Sequence, residues 1–242
     1  MGNSIVPRLL FRIIVLAILL GGVFTLANRK VAPQHLFWKT LDINAPIGFA
    51  TKAQLFKVSL APRAQCLSRL QAGALGTRFT VLDEKRNDEG CGWEMALNAS
   101  RNHGVSFKPR SMSALCPLQT GAYIWLGRVD DHAVAHLGSP LKNLHHFGTY
   151  SCRNVAGTSR LSEHAFANAW DISGFELEDG RMISVLKDWD GTGSDEAKAR
   201  AQFLRAAHSS GCHVFRVTLG PDYNAAHKDH IHVDMGPGKL CR

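Results

Sequence analysis

Three histidines and two aspartates crowd into eight residues near the C-terminus, His227-Lys228-Asp229-His230-Ile231-His232-Val233-Asp234. Read as a strand, this segment alternates: His230, His232 and Asp234 share one face, and Ile231 and Val233 share the other, apolar face. A polar face of that composition meets either water or a metal ion. Far upstream, Leu161–Ser173 carries His164 and Asp171. The run Asn168-Ala169-Trp170 leading into Asp171-Ile172-Ser173 predicts that Asp171 opens a strand and that His164 sits on the preceding loop. An imidazole and a carboxylate brought together this way offer one nitrogen and one oxygen to a cation. With His232 the set becomes His164, Asp171 and His232, and three protein ligands with an open fourth position describe a catalytic zinc site. A general base beside such a site would come from Asp229, His230 or His227. Asp234 reads either as a partner that orients a ligand histidine or as a solvated strand end. His132, His136, His145 and His146 have no partner at matching spacing and read as solvated. Trp170 and Trp189 read as core or cleft-wall aromatics.

The elements that must position these groups are legible in part. Ser194–Gly211 is the clearest helix, with Ser194 or Asp195 as its cap, acids in its first turn and Gly211 at its end. Pro62–Gly73 reads as a short helix ended by Gly73, and Ala114–Leu126 shows a helical apolar stripe. Gly174–Trp189 predicts a hairpin with Asp179-Gly180 at the turn. Strands are expected at Leu141–Cys152, Cys212–Gly220 and His230–Gly236. Residues 77–100 predict two short strands joined by the turn-rich Asp83–Gly90. Strands flank the helices without a regular βαβ repeat, so the expected class is α+β with a mainly antiparallel sheet and flanking helices.

The chain begins with Arg8 and Arg12 and an uncharged apolar run from Ile13 to Ala27, which Leu9 to Phe11 extend. Two readings stand: a signal peptide cut after Ala27, or an uncleaved anchor spanning residues 9–27. Either exports the body of the chain, so the expected location is the periplasm or cell envelope, at the inner membrane. Residues 1–30 form that segment, 31–60 lack periodicity and read as a linker, and 61–242 form the domain. Six cysteines, with no Cys-x-x-Cys pair among them, agree with an oxidising compartment and up to three disulfides. The pairing nearest in sequence is Cys66–Cys91, Cys116–Cys152 and Cys212–Cys241. A formal net charge of +8 suits an anionic partner. The chain lacks the Arg/Lys block and the basic–aromatic interleaving of nucleic-acid binders, so no nucleic-acid partner is expected.

The pattern Ser162-x-His164-x-x-Ala167-x-Ala169-x-Asp171, followed by His230-x-His232, resembles the LAS group of zinc peptidases. That group includes D-Ala-D-Ala carboxypeptidases and dipeptidases and the penicillin-insensitive murein endopeptidases, and the hedgehog signalling domain shares its fold. Gly148–Asn154 is similar to the Gly-Tyr-Arg segment of those enzymes, whose arginine faces the substrate; Arg153 is the matching position. More closely, the stretch from about Cys66 to Arg242 resembles the bacterial extensin-like C-terminal domain family. Gly148–Asn154, Leu161–Phe175, Asp179-Gly180-Arg181, Leu219–Asp234 and the terminal Cys241-Arg242 all carry that likeness.

These resemblances imply Zn2+ on His164, Asp171 and His232, and hydrolysis of peptidoglycan peptide bonds by an endopeptidase or D,D-carboxypeptidase. The alternative is a non-catalytic zinc- or wall-binding domain on the same scaffold. There are two departures. Asp229 stands where many LAS enzymes have Glu, and Ala167 stands where the first motif usually has Gly. His227 and His230 match histidines of the murein endopeptidases, which leaves the base open between Asp229 and His230.

Overall fold

The computed structural model describes residues 5–74 and 77–242; residues 1–4 of the expected N-terminal segment lie outside the described residues, as do residues 75 and 76. The helices are α1 (Ile5–Lys30), α2 (Thr51–Leu60), α3 (Arg63–Gly73), α4 (Cys116–Leu137), α5 (Val185–Asp188) and α6 (Asp195–Cys212). The strands run β1 (Thr80–Leu82), β2 (Lys85–Arg86), β3 (Gly92–Trp93), β4 (Ala96–Ala99), β5 (Arg101–Asn102), β6 (Val105–Lys108) and β7 (Met112–Ala114). They continue as β8 (Leu141–Gly148), β9 (Ala169–Leu177), β10 (Met182–Ser184), β11 (Val217–Leu219), β12 (Ile231–Asp234) and β13 (Leu240–Cys241).

The main sheet has the order β13-β11-β12-β9-β8-β6-β5, with β10 also paired to β9. Its pairs are antiparallel except β6 with β8 and β11 with β13. The class is therefore α+β and mainly antiparallel, as the patterning predicts. β1, β4 and β7 form a second, smaller sheet. The segment expected to hold two strands holds four, because the stretch read as turn contains β2, which pairs with β3 inside the β1–β4 hairpin. The strand expected from Cys212 is only β11. Val214 and Phe215 are fully buried, so their apolar run marks packing rather than extended structure.

α4 is the core helix. Pro117 sits in its first turn, where a missing N–H costs nothing. Gly138 ends it in the left-handed conformation, φ 72°, which glycine adopts without a Cβ clash. Trp125 is fully buried, and its ring lies edge-on or tilted to Trp170, Phe175 and Phe215. Its indole N–H donates to the Ala207 carbonyl at 2.9 Å, which ties α4 to α6. α6 is capped as expected: the Ser194 hydroxyl accepts from the Ala197 N–H at 3.2 Å. These helices cover the face of the sheet that Trp170, Ile172, Ile231 and Val233 fill. Strand alternation sends Asp171 and His232 to the other face.

Residues 31–60 are not a bare linker. A 3-10 turn at Pro33–His35 and the helix α2 pack on the domain, and Ile43, Leu55 and Val58 join its core. The segment lacks visible periodicity because only one short helix and scattered side chains make the contact. Leu55 is fully buried, so Leu55→Ala is expected to cost about 2–5 kcal/mol in denaturant unfolding. A change within about 0.5 kcal/mol, typical of a surface site, would remove residues 51–60 from the folded unit.

The disulfides are Cys66–Cys116, Cys91–Cys152 and Cys212–Cys241. The third matches the nearest-in-sequence pairing and the first two do not. α3 packs against the start of α4, which brings Cys66 to Cys116. That leaves Cys91, beside β3, to reach the loop at Cys152. Two of the partners lie 50 and 61 residues apart, a separation that local sequence cannot reveal. Three disulfides and an N-terminal helix long and apolar enough to cross a membrane are the marks of an exported chain.

Candidate metal centre

His164, Asp171 and His232 come together on the uncovered face of the main sheet. The register pairs His232 directly with Asp171 across β12 and β9, so the two side chains project side by side. Ile231 and Val233, on either side of His232, are fully buried and hold the strand down. His164 arrives from a 3-10 turn, Glu163–Phe166, whose N-cap Ser162 accepts from the His164 N–H at 3.3 Å. That turn ends at Ala167 in the left-handed region, φ 53°. This is a conformation that glycine adopts far more easily than alanine. The backbone there closes the turn and directs the chain into β9.

The three donor atoms form a small triangle. His164 Nε2 lies 3.2 Å from Asp171 Oδ1 and 3.3 Å from His232 Nδ1, and His232 Nδ1 lies 2.8 Å from Asp171 Oδ1. Tetrahedral zinc with bonds of about 2.0–2.1 Å sets its ligand atoms about 3.3 Å apart. Two of the observed edges match that value and the third, at 2.8 Å, is shorter, and the nitrogen and oxygen donor types suit the ion. The other His/Cys/acid groupings among the described residues use disulfide-bonded cysteines, which have no thiolate to offer.

The surrounding hydrogen bonds orient the rings. His164 Nδ1 lies 3.3 Å from the Thr149 carbonyl, which can only accept. Nδ1 therefore donates to that carbonyl, which turns Nε2 toward Asp171 and His232. His232 Nε2 donates to Asp234 Oδ2 at 3.1 Å, which leaves Nδ1 to face Asp171. Asp234 is buried, and its other oxygen accepts from the Gly236 N–H at 2.9 Å, so it is an orienting carboxylate rather than a solvated strand end.

Burial opposes a charge on His232, yet Asp171 and Asp234 outweigh it and raise its pKa to about 9. Burial likewise opposes charge on Asp171, but hydrogen bonds from His164 and His232 hold its carboxyl far below the ordinary range. Two carboxylates around one imidazole make a pocket that favours positive charge.

Of the remaining residues expected at the site, His227, His230 and Arg153 line the same cleft, of about 530 Å³, and Asp229 stands behind His230. His230 precedes β12. Its Nε2 lies 3.5 Å from Asp171 Oδ1, and its Nδ1 is held by Asp229 Oδ1 at 2.8 Å. His227 lies in the 3-10 turn Ala225–His227, with its ring 5.1 Å from that of His230 and its Nδ1 2.8 Å from Asn224 Oδ1. Burial, then the neighbouring His230 and His232, lowers its pKa to about 4, so it is neutral at pH 7. Arg153 is exposed at the cleft on a loop clipped by the Ser162 N–H to Arg153 carbonyl bond of 3.0 Å. The Cys91–Cys152 disulfide ends beside it.

Replacing both Cys91 and Cys152 by alanine is expected to cost about 2–5 kcal/mol. It should also make the 151–162 loop exchange its amide hydrogens faster. Unchanged stability and protection would show that the bond is dispensable for the cleft.

Sequence reasoning missed Thr149, which acts through its backbone, and Glu163. The Glu163 carboxylate is half-buried in the cleft wall. Burial raises its pKa, and Asn168 donates to it at 2.7 Å. A corrected reading applies to His146, which is buried against Phe107 and Trp170 rather than solvated. Apolar neighbours on β6 and β9 cover it, and no local pattern announces them. Trp170 and Trp189 are buried, as read.

The fold and this cluster define a disulfide-stapled α+β domain in which His164, Asp171 and His232 converge at one cleft. The chain belongs to the extensin-like C-terminal family: residues 64–242 match the family's sequence model, described as "Extensin-like protein C-terminus". Comparison with curated proteins and with solved structures finds no match. The matched region contains every residue of the cluster and all six cysteines.

Proposed function

We propose that this protein is a zinc-dependent hydrolase of peptidoglycan peptide bonds at the cell envelope, of murein endopeptidase or D,D-carboxypeptidase type. The observation that carries the reading is the convergence of His164 Nε2, Asp171 Oδ1 and His232 Nδ1 at 2.8–3.3 Å in an open cleft, with their rings already oriented by Thr149 and Asp234. The motif likeness to LAS-type zinc peptidases supports the same conclusion. Zinc held there would supply Lewis-acid polarisation of the amide and activation of water.

The chain's own residues supply the rest. His230 turns Nε2 toward the cluster while Asp229 fixes its other nitrogen, so it can accept a proton and return it to a leaving amine. Arg153 places a cation at the cleft, where a stem-peptide carboxylate or a developing oxyanion would be held. The body of the chain acts outside the inner membrane, tethered by α1.

Incubating the purified full-length protein with peptidoglycan, with zinc content measured in parallel, is expected to release muropeptide fragments that mass spectrometry can identify. Protein with zinc bound that releases none would replace the hydrolase with a wall- or zinc-binding domain. Arg153→Ala is expected to reduce release while leaving zinc in place. Unchanged turnover would take Arg153 out of the substrate contact.

A further inference from the structure

The segment that follows α1 does not lead away from it. After Lys30 the chain turns through Pro33–His35 and brings Trp38 back onto the helix. The Trp38 ring packs 5.3 Å from that of Phe24, and its indole N–H donates to Asn28 Oδ1 at 2.8 Å. Phe24 lies about 9 Å inside the end of α1 at Lys30, at 1.5 Å per residue. Trp38 is thereby fixed at the depth where the apolar run of the helix gives way to the cations of its last turn, Arg29 and Lys30. An amphipathic indole with an apolar body and one polar tip suits that depth in a bilayer.

The same segment is locked to the folded domain. Gln54 Nε2, on α2, lies 2.9, 2.9 and 3.2 Å from the carbonyls of Pro33, Leu36 and Lys39. Lys57 Nζ donates to the Phe37 carbonyl at 2.7 Å. The Ala50 N–H donates to the Gln34 carbonyl at 2.8 Å, and the Phe49 N–H to His35 Nδ1 at 3.2 Å. These bonds leave Phe37 and Phe49 stacked edge to face at 5.3 Å, yet Phe37 is 43% exposed, Trp38 51% and Phe49 78%. Single exposed aromatics are ordinary, but three that continue an apolar helix with 0% of its hydrophobic window buried form one surface.

We infer that Phe37, Trp38 and Phe49 form a membrane-interface contact that seats the domain directly on the bilayer from which α1 emerges. The occupant is the headgroup–acyl boundary of phospholipid. Continuity with α1 identifies it, and the cations Arg29, Lys30 and Lys39 beside the aromatics complement lipid phosphates. The inference rests on α1 remaining in the membrane and is independent of the hydrolase reading. Its consequence is that the cleft is held at a fixed height above the membrane instead of swinging on a tether.

Tryptophan fluorescence of the full chain reconstituted in phosphatidylcholine vesicles tests this, with lipid brominated near the headgroup end of its acyl chains as quencher. Wild-type emission is expected to be quenched, and Trp38→Phe to lose that quenching. Placing the reporter on the domain instead, Phe49→Trp in the Trp38→Phe background, is expected to restore quenching above the Trp38→Phe level. Equal quenching in those two variants would overturn the proposal, because α1 alone would then hold the chain at the membrane. Phe49 is mostly exposed, so the exchange should leave the fold intact, and an unchanged near-ultraviolet circular dichroism spectrum checks this. A second, substitution-free reading uses acrylamide on the wild type. Shielding of part of the emission in vesicles that detergent releases supports the contact; identical accessibility in both overturns it.

Discussion

Full-length protein is expected to hold about one zinc per chain, and His164→Ala, Asp171→Ala and His232→Ala each to reduce that to near zero. With three protein ligands, no donor is spare. The two histidine losses also leave an orienting partner without its role: the Thr149 carbonyl for His164, and the Asp234 carboxylate for His232. His232→Ala is the most informative of the three, because it removes a side chain that bonds both Asp171 and Asp234. Metal analysis of the three purified variants decides the matter, with circular dichroism to show that each is folded. Full metal retention in all three would end the metal-site reading. Asp234→Asn serves as a graded control. It keeps the ligands but weakens the orienting bond, and is expected to lower zinc affinity by about 10–100-fold.

The second large effect concerns the proton. His230→Ala is expected to keep its zinc and to lower muropeptide hydrolysis by about 10²–10⁴, the usual worth of general acid–base help. Asp229 and His230 divide the role that patterning leaves open between them. The Asp229 carboxylate bonds His230 Nδ1 at 2.8 Å, and it is His230 Nε2 that approaches the cluster. Asp229→Asn should therefore act through His230, with a smaller loss of about 10–100-fold. Asp229 lies one hydrogen bond further from the cluster than His230, which matches a positioning task. His227, neutral and held by Asn224, is expected to matter less than either. Normal hydrolysis by His230→Ala, beside a dead but zinc-loaded Asp229→Ala, would reverse the assignment.

Much of the site was legible because it is encoded at short range. Strand alternation alone put His232 opposite Ile231 and Val233, and the run into Asp171 placed that residue at the opening of a strand, which the fold begins at Ala169. The apolar neighbours of His232 are strong enough to fix the face of β12 without help from the rest of the chain. The α+β class, the capped helix α6, the hairpin at Asp179-Gly180 and the apolar N-terminal helix were visible for the same reason. Each is written in a period or a turn a few residues long.

Other features depended on which elements meet, and no local pattern contains that. The register that sets His232 across from Asp171 joins strands far apart in the chain. The pairing of Cys66 with Cys116, and of Cys91 with Cys152, follows from α3 packing on α4 and from a loop crossing to β3. The ring orientation of His164 comes from a backbone carbonyl, at Thr149, which no side-chain motif can signal. Residues 31–60 look like a linker because a segment that packs through scattered side chains around one short helix shows no periodicity. Its place in the core, and the return of Trp38 onto α1, were decided by tertiary contacts alone. By itself the sequence determined which side chains face which way along the elements whose period it shows, β12 among them. The tertiary structure decided which of those faces meet, because contact between distant segments depends on the packing of the whole chain.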